Sequence, residues 1–133
     1  MSRTKFLLRT SAIYALIGTF MGSHMAGAGS MMLRAIHAHI LVVGWLSLFA
    51  FAIFYRVYPI PKQSKLAAVQ VWTAFIGAFG LTAGMYIYYM KPDFIPEIVQ
   101  LLFYIIGGTV LVVSFILFAV MTFVHSKGMT DKE

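Results

Sequence analysis

The chain of 133 residues contains no cysteine and only four acidic residues. Without cysteine it can form no disulfide, thiolate metal site, iron–sulfur cluster or covalently attached c-type heme. Charged residues make up 11% of the chain, against about 25% in an ordinary soluble domain, whereas 61% of the residues are hydrophobic. A chain this short cannot bury so much apolar surface as a soluble monomer. The composition therefore predicts an integral membrane protein.

Long stretches without any charged residue predict four membrane spans, at about 8–29, 32–57, 66–90 and 96–124. Each charge-free stretch exceeds the roughly 18 residues that mark a spanning helix. The spans must be helices because unpaired backbone groups are too costly in lipid, and the alternation of a β-barrel strand is missing. The connections are short, so we expect one all-α domain over 1–133, an up-down four-helix bundle.

Basic residues are concentrated at three places along the chain. These are the amino terminus, the connection after span two and the tail, with Arg3, Lys5 and Arg9, then Arg56, Lys62 and Lys65, then Lys127 and Lys132. The positive-inside rule places both termini and the middle connection in the cytoplasm, and we expect a bacterial cytoplasmic membrane. This pattern accounts for the net charge of +6 without a nucleic-acid partner. Arg9 interrupts the apolar part of span one, so we expect that span to be retained rather than cleaved as a signal peptide.

The charge-free interiors of the predicted spans contain no acidic residue and no lysine, which argues against carboxylate-dependent carriers and hydrolases. What these interiors do contain is histidine. His24 lies near the outer end of span one, and His37 and His39 lie about two turns into span two, so the 1.5 Å helical rise places all three in the outer third of the membrane. His125 lies at the opposite end. This layer is the candidate site, and no catalytic residue is assigned.

His37 and His39 are two positions apart, which on a helix separates them by about 200°. Only one of them can therefore face the bundle, and the other must face lipid, a neighbouring helix or another subunit. Arg34 and Gly44 share a face with His37. A macrocycle bound on that face would find room at Gly44 and a partner for its carboxylates in Arg34.

The run Leu-Arg-Ala-Ile-His-Ala-His at 33–39 resembles the start of the second helix in the catalytic subunit of cbb-type cytochrome oxidases and nitric oxide reductases. Gly-Trp at 44–45 and Phe-Tyr-Arg-Val-Tyr-Pro at 54–59 continue this similarity to the heme-copper oxidase superfamily. The resemblance covers spans one and two and implies that His37 is an axial ligand of a low-spin heme b, with His39 where the family commonly has Asn. The helices that carry the family's copper-site histidines have no counterpart, so a complete oxidase is not expected.

A heme held by His37 needs a second axial ligand. His24 is the first candidate, as a heme and metal ligand on the neighbouring span; His39 of a second copy, Met25 and Met32 are the others. The sequence thus predicts a heme b protein that serves as an electron-transfer module or as a small subunit of a respiratory-type complex. A quinone or a cytochrome would be its redox partner, and a homo-oligomer or a larger membrane complex its assembly.

Two other functions remain open. The chain could be a non-enzymatic accessory subunit whose histidines only bond carbonyls across helix interfaces. It could also bind copper in the outer leaflet, because thioether and imidazole ligands suit Cu(I) and several methionines surround His24, namely Met21, Met25, Met31 and Met32.

Small and aromatic residues in the spans are interpreted mainly as packing and interface residues. Gly18 and Gly22 in span one, and the glycines of span three, favour close helix approach, with contact to a flat cofactor as the alternative. Tyrosines at the span ends predict an aromatic belt, with a quinone pocket as the alternative: Tyr55, Tyr58, Tyr86, Tyr88 and Tyr89.

Overall fold

The structure is a computed structural model that describes residues 2–125, and it is helical with no strand in that range. It confirms the all-α prediction. Four helices are long and apolar enough to cross a membrane: α1, Arg3–Ala28; α2, Arg34–Val57; α3, Lys65–Met90; and α4, Glu97–Val124. Lys127 and Lys132, which contributed to the predicted topology, lie outside the described residues.

The helix ends follow capping residues more closely than they follow the charge-free stretches. The predicted start of span one at residue 8 is too late, because the Ser2 hydroxyl accepts a hydrogen bond from the Lys5 N–H at 3.2 Å and starts α1 at Arg3. At the other end, Gly29 adopts the left-handed conformation with φ of 63°, which terminates α1. The remaining helix ends lie within two residues of their predicted positions.

Helices α3 and α4 form an antiparallel hairpin whose backbones are in direct contact. A Cβ atom on Gly80 would lie 2.8 Å from the Cα of Gly107, and one on Gly84 would lie 2.6 Å from the Cα of Tyr104. Only glycine permits such a separation, because a side chain would meet backbone that cannot move aside. The packing interpretation of the span-three glycines is confirmed.

Helices α1 and α2 form a second antiparallel hairpin, and the middle of α2 is widened. The Leu41 side chain lies on Gly18, and the Tyr14 ring lies on Gly44. Residues Ile40–Ser47 form a π-helix between the α-helical parts Arg34–His39 and Leu48–Val57. In this segment the Ser47 hydroxyl donates to the Val42 carbonyl, five positions earlier, at 2.8 Å. Apolar periodicity does not anticipate such a segment.

The two hairpins meet through side chains rather than through backbone. Aromatic rings of α2 and α4 are in contact, with the Phe51 and Phe118 centroids 4.8 Å apart. Between the parallel helices α1 and α3, the Tyr14 hydroxyl lies 3.3 Å from the Thr82 hydroxyl. Beside this bond, residues of α1, α2 and α3 line an apolar groove of about 530 Å³ that includes Ile17 and Phe79.

A polar cluster joins the amino terminus to the α2–α3 connection. The Arg3 guanidinium donates to the carbonyls of Pro61, Lys62 and Ser64 at 2.7 to 3.0 Å and lies 5.8 Å from the centre of the Tyr55 ring. The Tyr55 hydroxyl is directed inward and bonds a side-chain oxygen of buried Gln70 at 2.8 Å. A buried acceptor thus holds the Tyr55 hydroxyl inside the bundle, and the aromatic-belt interpretation of the span-end tyrosines stays a prediction.

Candidate functional site in the histidine layer

His37 faces the neighbouring helix α1. A Cβ atom on Gly22 would lie 2.9 Å from the Cε1 atom of His37, so the imidazole occupies the notch that this glycine leaves. The Nδ1 atom of His37 is buried and has no hydrogen-bond partner. A buried imidazole nitrogen without a partner is energetically costly, so it is a group whose partner is still to be identified.

His24 does not share this interface. Gly22 faces His37, and the side chain two positions later lies about 200° further around the α1 axis. His24 is accordingly exposed, whereas Met25, which follows it, is buried. The structure thus places the two predicted ligands His24 and His37 on different sides of α1.

The gap that the sequence predicts beside Gly44 is filled. The Tyr14 ring lies directly against the Gly44 Cα, and Tyr14 itself is largely buried. This corrects the expectation of open space on that face, because a residue of α1 supplies the volume that Gly44 lacks. A macrocycle at Gly44 would have to displace Tyr14, and the assignment of Gly44 as a cofactor contact stays a prediction.

His39 faces away from α1, as the spacing of the two histidines predicts. Its Nδ1 atom lies 2.8 Å from the carbonyl oxygen of Ala35, one turn earlier in α2. Since a carbonyl only accepts, Nδ1 is the donor of this bond, and Nε2 is the ring nitrogen left for another partner. Metal-bound histidines are held in this way, with one ring nitrogen donating to a carbonyl and the other free for the metal.

The free side of His39 opens on a shallow surface depression of about 190 Å³. We call this the His39 depression; its walls are Ala38, His39, Val42 and Val43. Arg34 is exposed at the start of α2, on the His37 face and about 140° around the helix from His39. The depression therefore combines a ligand nitrogen with small apolar walls.

The methionines of the copper hypothesis differ widely in exposure. Met25 is 7% exposed and packs within the fold, whereas Met31 and Met32 in the α1–α2 connection are 67% and 71% exposed. Among residues 2–125, no group of three or more His, Cys, Asp or Glu side chains could hold a metal ion. A site built by this chain alone would have to use fewer such ligands or recruit methionine sulfur.

Sequence reasoning missed two groups that shape the site. Tyr14 lies four positions before Gly18 on the same face of α1, a spacing that marks it as part of the helix interface. The Ala35 carbonyl precedes His39 by four, so it lies within reach of the ring in an α-helix. Comparison of the chain with protein family models, with curated proteins and with solved structures finds no match. The similarity to the oxidase helices therefore stays a prediction.

Proposed function

We propose that the protein is a membrane heme b protein that serves as an electron-transfer module or as a small subunit of a respiratory-type complex. The observation that carries the proposal is the hydrogen bond made by the His39 ring. Its Nδ1–H donates to the Ala35 carbonyl, so Nε2 is the ring nitrogen left to bind a ligand, on a helix of membrane-spanning length. A bound heme b would supply a one-electron couple between ferrous and ferric iron.

The residues of the layer fit this group unequally. His39 would hold the iron, whereas exposed Arg34 lies on the His37 face of α2, about 140° around the helix from His39. His37, the ligand that the resemblance implies, is committed to the Gly22 notch and could bind only a group that enters between α1 and α2. His24 faces away from both.

Absorption spectroscopy of the purified chain tests the proposal. The protein is expressed in a heme-replete host, purified in detergent, and measured in oxidised and dithionite-reduced forms. We expect the α-band and shifted Soret band of a six-coordinate heme b after reduction. Protein that carries no heme under these conditions would rule out the proposed function. Elemental analysis of the same sample measures copper, which would support the copper hypothesis if present in stoichiometric amount.

The second candidate is a non-enzymatic accessory subunit of a larger membrane enzyme. The observation that favours it is the close seating of His37 against Gly22, which is what a structural histidine between two helices requires. In that case, affinity purification from native membranes in mild detergent would yield a defined complex, and neither heme nor copper would be bound by this chain. A heme spectrum in the isolated chain would exclude this purely structural role.

A further inference from the structure

We infer that the apolar groove between α1 and α3 binds the head group of an isoprenoid quinone, with the Tyr14 hydroxyl as its hydrogen-bond partner. We call it the α1–α3 groove. This inference rests on the proposed function, because it names the redox partner of the membrane heme protein. None of the described residues that line the groove is a histidine, so its test is separate from the search for heme.

The α1–α3 groove has the size and lining of a site for an uncharged ring. Its volume of about 530 Å³ lies within the range of about 300–1,000 Å³ that small-molecule sites occupy. Besides Tyr14, the aromatic side chains of Phe75, Phe79 and Tyr86 line it. None of its described lining residues is charged, so nothing there compensates the charge of a fatty acid or of a phosphate group.

The groove is buried at its floor and open at its rim. Tyr14 and Thr82 are 9% and 6% exposed, whereas Ile17 and Phe79 are 46% and 58% exposed. A ring can therefore enter from the side while an isoprenoid tail stays outside the bundle.

The floor presents a hydroxyl group whose proton is weakly bonded. Thr82 Oγ1 donates to the Ala78 carbonyl at 2.8 Å, so in its contact with Tyr14 it is the acceptor and the Tyr14 hydroxyl is the donor. The two oxygens are 3.3 Å apart, longer than the typical separation of about 2.7–2.8 Å. A stronger acceptor that enters the groove would therefore take this hydrogen bond from Thr82.

The depth of this hydroxyl favours a quinone over a phospholipid. At the helical rise, Tyr14 lies about 16 Å from the start of α1, and Thr82 lies about 12 Å from the end of α3. Phospholipid carbonyls lie at the membrane interface, and acyl chains offer no acceptor. A quinone carries its carbonyls on an apolar ring that enters the hydrocarbon. Because a phenol both donates and accepts, Tyr14 suits the carbonyl of the oxidised ring and the hydroxyl of the reduced ring.

The groove also adjoins the helix that carries the histidine layer. Buried Ile36 and Ile40 of α2 line it, and these two residues flank His37 and His39 in the sequence. A quinone in the groove would thus lie beside the helix of the proposed iron ligand.

Fluorescence titration tests the binding. The Trp72 ring lies 6.2 Å from that of Phe75, which lines the groove, and Trp45→Phe leaves Trp72 as the only tryptophan of the chain. This protein, in nanodiscs of synthetic lipid, is titrated with a ubiquinone that has one isoprene unit. We expect saturable quenching with one quinone per chain. Quenching that rises without saturation, or that excess squalene relieves, would overturn the inference, because any apolar molecule would then fill the groove.

Two hydroxyl variants in the same background test the hydrogen bond. Tyr14→Phe removes the donor and should raise the Kd about 2- to 12-fold, the effect of one hydrogen bond. Thr82→Val removes the competing acceptor and should bind the quinone at least as tightly as the parent protein. A merely structural role of the pair predicts weaker binding by both variants, since both lose the same contact. That result, or an unchanged Kd for Tyr14→Phe, would overturn the inference.

A filled groove gives an independent test. Ala83 lines the groove and Ala15 does not, and both are partly exposed. Ala83→Phe should abolish saturable quenching, whereas the control Ala15→Phe should retain it, with circular dichroism to show that both are folded. Saturable binding by folded Ala83→Phe would contradict the inference. Heme without saturable quinone binding would overturn this inference alone, and quinone binding by protein without heme would overturn the proposed function alone.

Discussion

Substitution of two adjacent glycines in α4 should change stability by clearly different amounts. A Cβ atom on Gly107 would lie 2.5 Å from the carbonyl oxygen of Gly80 in α3, which is backbone and cannot give way. A Cβ atom on Gly108 would meet only the Cδ1 atom of Leu81, at an ordinary contact distance of 3.5 Å. The pair therefore offers the same chemical change in two environments, one crowded and one open.

The expected magnitude is the difference in unfolding free energy between the two variants, from which the gain in helix propensity cancels because both share it. Both Gly107→Ala and Gly108→Ala gain about 0.8–1.0 kcal/mol of helix propensity. Gly107→Ala also forces the helices apart, at a cost of about 1–3 kcal/mol for overpacking. We therefore expect Gly108→Ala to exceed Gly107→Ala in unfolding free energy by about 1–3 kcal/mol, the overpacking term alone.

The measurement is reversible unfolding in mixed micelles, with dodecyl sulfate added to protein in dodecyl maltoside and helicity followed by circular dichroism. Gly27→Ala is the control for propensity alone, because no atom lies within 4 Å of its Cβ position. Equal stability of the Gly107 and Gly108 variants would refute the direct backbone contact between α3 and α4. A Gly107→Ala variant more stable than Gly108→Ala would refute that contact even more strongly.

Three further predictions concern polar groups at other places in the bundle. Tyr14→Phe keeps the ring and removes only the 3.3 Å contact with Thr82, so it should lower the unfolding free energy by about 0.5–1.5 kcal/mol in the same assay. A decrease near zero, or above about 3 kcal/mol, would contradict this account. Arg3→Lys cannot reproduce the three guanidinium hydrogen bonds to loop carbonyls, so it should lower the unfolding free energy by about 1 kcal/mol. An unchanged unfolding free energy would show that those bonds contribute nothing to stability. Because the chain has no cysteine, Ser30→Cys and Lys62→Cys each introduce a single site for labelling in intact cells. A membrane-impermeant maleimide should react with the cysteine at position 30 directly and with the one at position 62 only after permeabilisation. The opposite labelling pattern would show that the predicted topology is inverted.

The sequence predicts where the four long helices lie, but it does not predict which side chains pack against them. Charge-free stretches locate the four long helices because a charged side chain is expensive in hydrocarbon, and this constraint acts on each residue separately. The start of α1 escaped the same reasoning, since Ser2 caps a helix whose first turns carry charge. The divergence of His37 and His39 was predictable because it follows from the helical repeat alone.

Which group fills the space beside a glycine in these helices is not predictable from the sequence. Gly44 offers a gap in any sequence reading, but whether a cofactor, lipid or side chain fills it depends on the relative register of α1 and α2. The structure sets that register so that Tyr14 fills the gap and His37 fills the notch at Gly22. Tyr55 shows the same dependence, because only the approach of α3 brings buried Gln70 to its hydroxyl.

The sequence by itself thus determined that this protein is a bundle of four apolar helices with a histidine layer near one end, because composition and the helical repeat act locally. Only the tertiary structure decided what each of the two half-buried histidines contacts. Helix contact is a property of pairs of surfaces, and its register seats His37 against Gly22 of α1, whereas His39 bonds the Ala35 carbonyl of its own helix. For that reason the functional proposal depends on His39, whose Nε2 is left for another partner.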